Sequence, residues 1–271
     1  MTTASIRAAT TDLVRIVMDH RKILRATTLV ELRKKYAGSA LGLSWLVLQP
    51  LLFLLVYMFL FMVVFRVRFP GMSDLGYVAY VFTGLVPYLA FSESLSSGAV
   101  SLRQNMHMVR NVIVPMELIP VRTVFIAVII QVVGLAVTAV LLALDGSLSA
   151  WALALPLAMA IQLIFLIGLV LIVAPLGVLL PDIAHGLNIL LIFLLFLSPI
   201  GFRVEQLPPA AQPFILLNPL YYMLETFRSF LIAGYEIKTA VIVAFALLAI
   251  ATLGLGALLF KRLKPVVVDF D

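Results

Sequence analysis

The 271-residue chain contains no cysteine, which excludes disulfides and thiolate metal sites. Histidine is scarce as well: His20, His107 and His185 are far apart, none of them deep in a long apolar run, so no metal is expected. Charge is thin at 12% of residues, against 63% hydrophobic and a mean hydropathy of +1.17, and this balance excludes a water-soluble domain. The apolar runs lack the alternation of a β-barrel, so helices are the spanning structure to expect. There is no Gly-x-x-x-x-Gly-Lys-Ser/Thr loop, no G-x-S-x-G, no His-Glu-x-x-His and no close acid pair within a run. The chain is therefore not expected to be an enzyme or to carry a cofactor, and any ATP it uses must be bound by a partner. Residues 1–44 lack an early apolar core with a small-residue cleavage site, so no signal peptide is expected.

What is present is a set of six apolar runs, at about 46–65, 77–100, 124–144, 151–173, 183–202 and 239–260. At about 1.5 Å rise per residue, each reaches about 30 Å, the thickness of the hydrocarbon core. The fold class read from them is an all-α polytopic membrane protein with six transmembrane helices. It forms one domain over 1–271, divided into a cytoplasmic or interfacial segment, 1–44, and a six-span bundle, 45–271. Membrane lipids are its first partners, and nothing points to nucleic acid. Lys and Arg number eight in 1–44, three in 101–122 and three after 260, against five in the alternate connections. That asymmetry predicts both termini in the cytoplasm. Leu13, Ile16, Val17, Ile23 and Leu24 share one face of a helix, with basic residues around it, as in a helix lying on an anionic leaflet. The segment 174–180 reads as a short turn.

Between the second and third runs, Val100, Leu102, Met106, Val109, Ile113 and Met116 recur at helical steps opposite Arg103, Gln104, His107, Arg110 and Asn111. Pro115 and Pro120 stop and restart the chain, so 101–122 reads as a short amphipathic lever. Between the fifth and sixth runs, Asn218-Pro219 signals a helix start and Gly234 a helix end. The segment 203–238 is predicted to re-enter the outer leaflet as a hairpin. Within it Glu225 and Arg228 have the spacing of a helical ion pair, which contributes about 0.3–0.5 kcal/mol if exposed. Glu93, among serines, is expected to be capped by their hydroxyls or reached by water, while Gln131 and Gln162 are expected to make interhelical hydrogen bonds. Trp45, Gln49, Phe53, Tyr57 and Phe61 repeat every four residues. Such a stripe suits packing against lipid; it also suits a passage in which sugar rings slide over aromatic faces.

Four motifs together, LRKKYAGSALGLSW (32–45), VRNVIVPMEL (109–118), SPIGF (198–202) and NPLYYMLETFRSFLIAG (218–234), resemble the permease subunits of ABC transporters that export polysaccharides. Members of that family move lipid-linked O-antigens, capsular polysaccharides or teichoic acids across the bacterial cytoplasmic (inner) membrane. The resemblance implies a homodimer with a channel between its copies, paired with two copies of a separate ATPase that holds ATP and Mg. It implies that the lever is the helix held by the ATPase, through Arg103, Met106, His107, Val109, Arg110, Asn111, Pro115 and Glu117, with Asp182 of the fourth connection. It implies a channel lined by Trp45, Gln49, Phe53 and Tyr57 of the first run and Phe193 and Phe196 of the fifth. Pro199, Phe202, Asn218, Pro219, Glu225 and Arg228 would form the external gate. The sequence departs from the family pattern at Val114 and Met116, where an aromatic and a basic residue are usual, and at Pro181, where a basic residue commonly precedes Asp182. An ABC permease for drugs or small lipids, or an ion-coupled secondary transporter, are the alternatives; the motifs at 32–45 and 218–234 argue against the first. The absence of midplane charges and of an inverted repeat argues against the second.

Overall fold

A computed structural model describes residues 3–64, 72–107 and 114–269, without the side chains of residues 3, 57, 61 and 62. The described residues are all-helical and contain no strand; an isolated bridge joins Leu148 to Ile232.

The amino-terminal segment forms two helices where one was expected. α1 (Thr3–Asp19) and α2 (Arg21–Tyr36) meet at His20, whose Nδ1 lies 3.0 Å from the Ile16 carbonyl oxygen. The break rotates the second half of the expected apolar face, so Leu13 and Leu24 are buried while Ile23 is exposed. α1 lies along the last helix of the chain, and α2 packs against the helix that follows the lever.

α3 (Trp45–Met58) continues as a π-helical turn over Phe59–Val64. α4 (Asp74–Gln104) starts at Ser73, whose hydroxyl accepts from the Gly76 N–H. α5 (Leu118–Asp145) ends at Gly146, whose φ of 75° is a left-handed conformation that a side chain would strain. Pro120 thus lies inside the first turn of α5, where its missing N–H costs no hydrogen bond. A 3₁₀ turn (Ala150–Ala154) leads into α6 (Leu155–Leu179). The expected turn at 174–180 is not there: α6 passes through Pro175 and ends at Leu179, because a long buried helix packed on its neighbours tolerates the interruption.

α7 (Ile183–Leu197) is shorter than the expected 183–202 run. Pro199 disfavours helical backbone at the residue before it, and Ser198 is accordingly extended, with φ −81° and ψ 145°. α8 (Gln212–Leu216), α9 (Pro219–Leu231) and α10 (Thr239–Asp269) complete the chain. Among the described residues four helices are long and apolar enough to cross a bilayer: α4, α5, α6 with its 3₁₀ lead-in, and α10; the segments Gly42–Val56 and Ile183–Leu197 are shorter apolar helices.

α4 is the centre of the bundle, packed by α5, α6, α7 and α9. Phe91 of α4 stacks on Phe165 of α6, with ring centres 6.3 Å apart, and Phe165 meets Phe245 of α10 edge-on at 5.6 Å. Small residues let the backbones approach: a Cβ on Gly177 would overlap the Ala99 carbonyl oxygen, and one on Gly256 would overlap that of Gly168.

Candidate functional site

α9 is held at its start by one side chain facing two ways. Asn218 Oδ1 accepts from the Leu220 N–H at 3.0 Å, and its Nδ2 donates to Ser198 Oγ at 2.9 Å, tying the helix to the segment after α7. Pro219 occupies the first turn, where no N–H is needed. Further along, the Glu225–Arg228 pair forms as its spacing predicts, but not on the surface: the two side chains are 4% and 1% exposed. Arg228 Nη1 lies 3.3 Å from Glu225 Oε1, its Nη2 donates to the Ile200 carbonyl at 2.9 Å, and its guanidinium sits 4.0 Å over the Tyr80 ring. Gly84 gives this guanidinium its room, since a Cβ there would lie 3.1 Å from Nη2.

Glu225 is shared among three donors. Besides Arg228, the Tyr235 hydroxyl donates to Oε1 at 2.8 Å and Lys238 Nζ donates to Oε2 at 3.2 Å. Burial opposes the charge on Lys238, but the Glu225 carboxylate outweighs it, and the lysine is pushed above its ordinary range. Pro199 is buried and Phe202 half-buried in the same cluster. The Phe202 carbonyl accepts from the Tyr80 hydroxyl at 3.3 Å, and the Gly201 carbonyl from the Tyr77 hydroxyl at 3.1 Å. The six residues grouped as a gate therefore occupy one cluster. Tyr77, Tyr80, Tyr235 and Lys238 belong to it and were missed by sequence reasoning. The spacing of Tyr77, Tyr80, Gly84 and Tyr88 on one face of α4 is a signal that could have found the first two; Tyr235 and Lys238 carry no such local signal.

At the opposite end of α4, residues 101–104 of the lever extend that helix, and Val109, Arg110 and Asn111 lie outside the described residues. Arg103 and His107 are exposed, Met106 is half-buried, and Pro115 is half-buried in the approach to α5. Glu117 is buried and bonded to Lys264 of α10 at 2.6 Å, its Oε2 without a partner among the described residues. Asp182 is exposed at the start of α7. Ion pairs fasten α2 to both sides of the lever: Lys35 Nζ lies 2.7 Å from Glu93 of α4, and Glu31 lies 3.6 Å from Arg122 of α5. Arg122 also donates to Asn105 at 2.8 Å. Ser97 caps Glu93 at 2.7 Å as expected from its serine-rich surroundings; Lys35 and Arg122 had been read only as charges that set orientation.

Of the stripe, Trp45 is half-buried, donating from Nε1 to Ser39 Oγ at 2.9 Å, and Gln49 is half-buried while Phe53 is exposed. Tyr57 lies outside the described side chains. Gln49 and Phe53 line a cavity of about 200 Å³ with Lys35, Glu93 and Gln131. Phe193 and Phe196 are not in it; they are exposed on α7 with Ile189 and Ile192, where Leu191 is the buried residue of the helix. Gln131 and Gln162 bond across helices at 2.7 Å, as expected.

Similarity to known proteins runs over most of the chain. The O-antigen export system permease protein RfbA of Myxococcus xanthus is 29% identical over 220 residues, 80% of this chain and 83% of its own length. Its namesake from Klebsiella pneumoniae is 28% identical over 248 residues, 89% of this chain and 92% of its own length. The polysialic acid transport protein KpsM of Escherichia coli is 27% identical over 254 residues, 88% and 92% respectively. The family model described as ABC-2 type transporter matches residues 24–232, from α2 to the end of α9. That span takes in the central helix α4, the lever and the whole length of α9, and the chain accordingly belongs to the ABC-2 type transporter family.

Proposed function

We propose that the chain is the transmembrane subunit of an ATP-driven exporter that moves a lipid-linked polysaccharide across the bacterial cytoplasmic membrane. The observation that carries this reading is the near full-length likeness to permeases named for O-antigen export and polysialic acid transport. In this reading two copies of the chain enclose the passage and two copies of a separate ATPase drive it. α3 with its π-turn and α7 complete six spans alongside the four long helices, and both termini are cytoplasmic. The exposed apolar side of α7, with Ile189, Ile192, Phe193 and Phe196, supplies surface for the second copy.

The lever, with Arg103, Met106, His107, Val109, Arg110, Asn111, Pro115 and Glu117, and Asp182 beside it, takes the force of the ATPase. Trp45, Gln49, Phe53 and Tyr57, with Phe193 and Phe196, line the passage. The α9 cluster, as a re-entrant external hairpin, closes it: Pro199, Phe202, Asn218, Pro219, Glu225 and Arg228 move together because they are hydrogen-bonded and packed as one body. Deleting the chain from its host and probing surface glycan by immunoblot tests the reading, together with co-purification of an ATPase encoded nearby. Loss of surface glycan, with lipid-linked glycan accumulating inside, supports it. Unchanged surface glycan, or purification with no ATPase, overturns it.

A further inference from the structure

Gln131 and Gln162 form a chain of amides with a fixed direction. It is anchored on the Pro87 carbonyl, which can only accept, so Gln162 turns its Nε2 to it, at 3.0 Å. The Oε1 of Gln162 then accepts from Gln131 Nε2 at 2.7 Å. What remains is Gln131 Oε1, an acceptor with no partner among the described residues, on a residue that is 2% exposed. Gln131 is 13 residues past the start of α5 at Leu118, about 20 Å along the helix, well inside the bundle. An unmatched polar atom at that depth is costly, and the residue lines the 200 Å³ cavity between α2, α3, α4 and α5.

The cavity selects by chemistry. Its deepest polar atom needs a hydrogen-bond donor, which a phosphate or carbonyl oxygen cannot supply and a hydroxyl can. On the α3 side Phe53 presents its exposed ring one turn from Gln49, and Ser92 lines the cavity from α4. The Lys35–Glu93 pair offers a donor and an acceptor side by side. Lys35 and Glu93 also line a neighbouring cavity of about 420 Å³ toward the lever end of α4, so the pair borders both cavities. The smaller cavity's volume of about 200 Å³ is that of roughly six or seven water molecules, the room of one sugar ring.

We propose that this cavity is a subsite, one in each copy of the chain, that takes a single uncharged hydroxyl-bearing ring of the transported polymer. A ring hydroxyl donates to Gln131 Oε1, the ring face lies on Phe53, and Lys35 and Glu93 hold the hydroxyls nearest the mouth. The inference rests on the polysaccharide-export reading and adds a place where one sugar is held.

The test uses the absence of native cysteine. Ser92→Cys is introduced into the full chain, co-expressed with its ATPase carrying a hydrolysis-blocking substitution, and labelled with a water-soluble maleimide. The probe is the host's own lipid-linked glycan, present or removed by deleting the first glycosyltransferase of its assembly. Labelling is expected without glycan and falls about tenfold with it, the protection given by about 90% occupancy. Gln131→Leu in the same chain abolishes the protection, and Thr11→Cys on the exposed side of α1 labels equally throughout. If Gln131→Leu does not accumulate, Phe53→Leu on the α3 side takes its place and must also lower protection. Failure of Ser92→Cys to label without glycan, equal labelling with and without it, or protection that survives both substitutions overturns the subsite. When deletion of the chain still abolishes surface glycan, such a result leaves the export reading standing; unchanged surface glycan on deletion overturns both.

Discussion

Arg228→Ala is the perturbation with the largest effect that the α9 cluster supports. Removing one partner of a buried ion pair costs about 3–5 kcal/mol when the other charge is left alone. Glu225 is not left alone, because Tyr235 and Lys238 still reach it at 2.8 and 3.2 Å, so the cost moves to the lower end. Two further contacts vanish. The charged hydrogen bond to the Ile200 carbonyl contributes about 1.5–3 kcal/mol, and the contact with the Tyr80 ring contributes about 2 kcal/mol in a desolvated site. These terms are not additive, and Nε has no partner to lose, which sets the expected loss at about 3 kcal/mol. Arg228→Met, which keeps most of the volume, isolates the polar share and should lose about 2 kcal/mol. The assay is unfolding of the purified protein in mixed micelles by titration with SDS, followed by circular dichroism. Paired with Tyr80→Leu in a double-mutant cycle, Arg228→Met should show a coupling of about 1–2 kcal/mol. Both single variants within about 0.5 kcal/mol of the parent, the range of ordinary surface changes, would refute the reasoning.

Tyr80→Phe should lose less than about 1.5 kcal/mol in the same titration, since it keeps the ring under Arg228 and gives up only the bond to the Phe202 carbonyl, while Tyr80→Leu should lose more. Lys264→Met strips Glu117 of its partner and should cost about 1 kcal/mol, discounted because Lys264 is 40% exposed; adding Glu117→Gln should restore most of that stability, as thermal unfolding in detergent will show. Gly177→Ala places a methyl against the Ala99 carbonyl and should cost about 1–3 kcal/mol, read as lower yield of folded protein by size-exclusion chromatography, whereas Gly186→Ala, with open space around it, should not.

Helix existence was legible wherever one local signal dominated. Asn218-Pro219 marks the start of α9 to the residue, because the cap is decided by the residues themselves, while the helix ends at Leu231, three residues before the left-handed Gly234. The end of α6 was not legible: Pro175 is a breaker in isolation, and its tolerance depends on the neighbours packed around it. The break at His20 had no signal in the pattern of apolar residues, which continued across it. For the candidate site, pairing within one helix could be read and burial could not. Glu225 and Arg228 announce each other by spacing, but Ile200, Tyr80 and Lys238 arrive from three other segments and turn a weak surface pair into a buried network. Lys35 and Glu93 are distant in sequence, so each was counted separately, one as an orientation charge and one as a capped acid.

The two groups of contacts stand on one helix. α4 runs for 31 residues, about 46 Å, and carries the α9 cluster on Tyr77, Tyr80 and Gly84, the lever-side ion pair to Lys35 on Glu93 and, at its C-cap, the Asn105 amide that accepts from Arg122. Tyr88, between them, donates to the Leu191 carbonyl and holds α7 to the same rod. A continuous helix transmits displacement along its axis with little loss, because its hydrogen-bond ladder resists both stretching and bending. Pro87 interrupts that ladder between the two groups, and a proline is where a helix bends. Pro87 is therefore the point on α4 where the stretch bearing Tyr80 and the stretch bearing Asn105 are least firmly joined by the helix's own hydrogen bonds. The bond from Gln162 Nε2 to the Pro87 carbonyl braces that position from α6, and the unpartnered oxygen of Gln131 sits at the far end of the same amide chain. Two hydrogen bonds thus link the residue beside the cavity to the carbonyl at the break in the α4 ladder, and buried amide chains of this kind polarise one another.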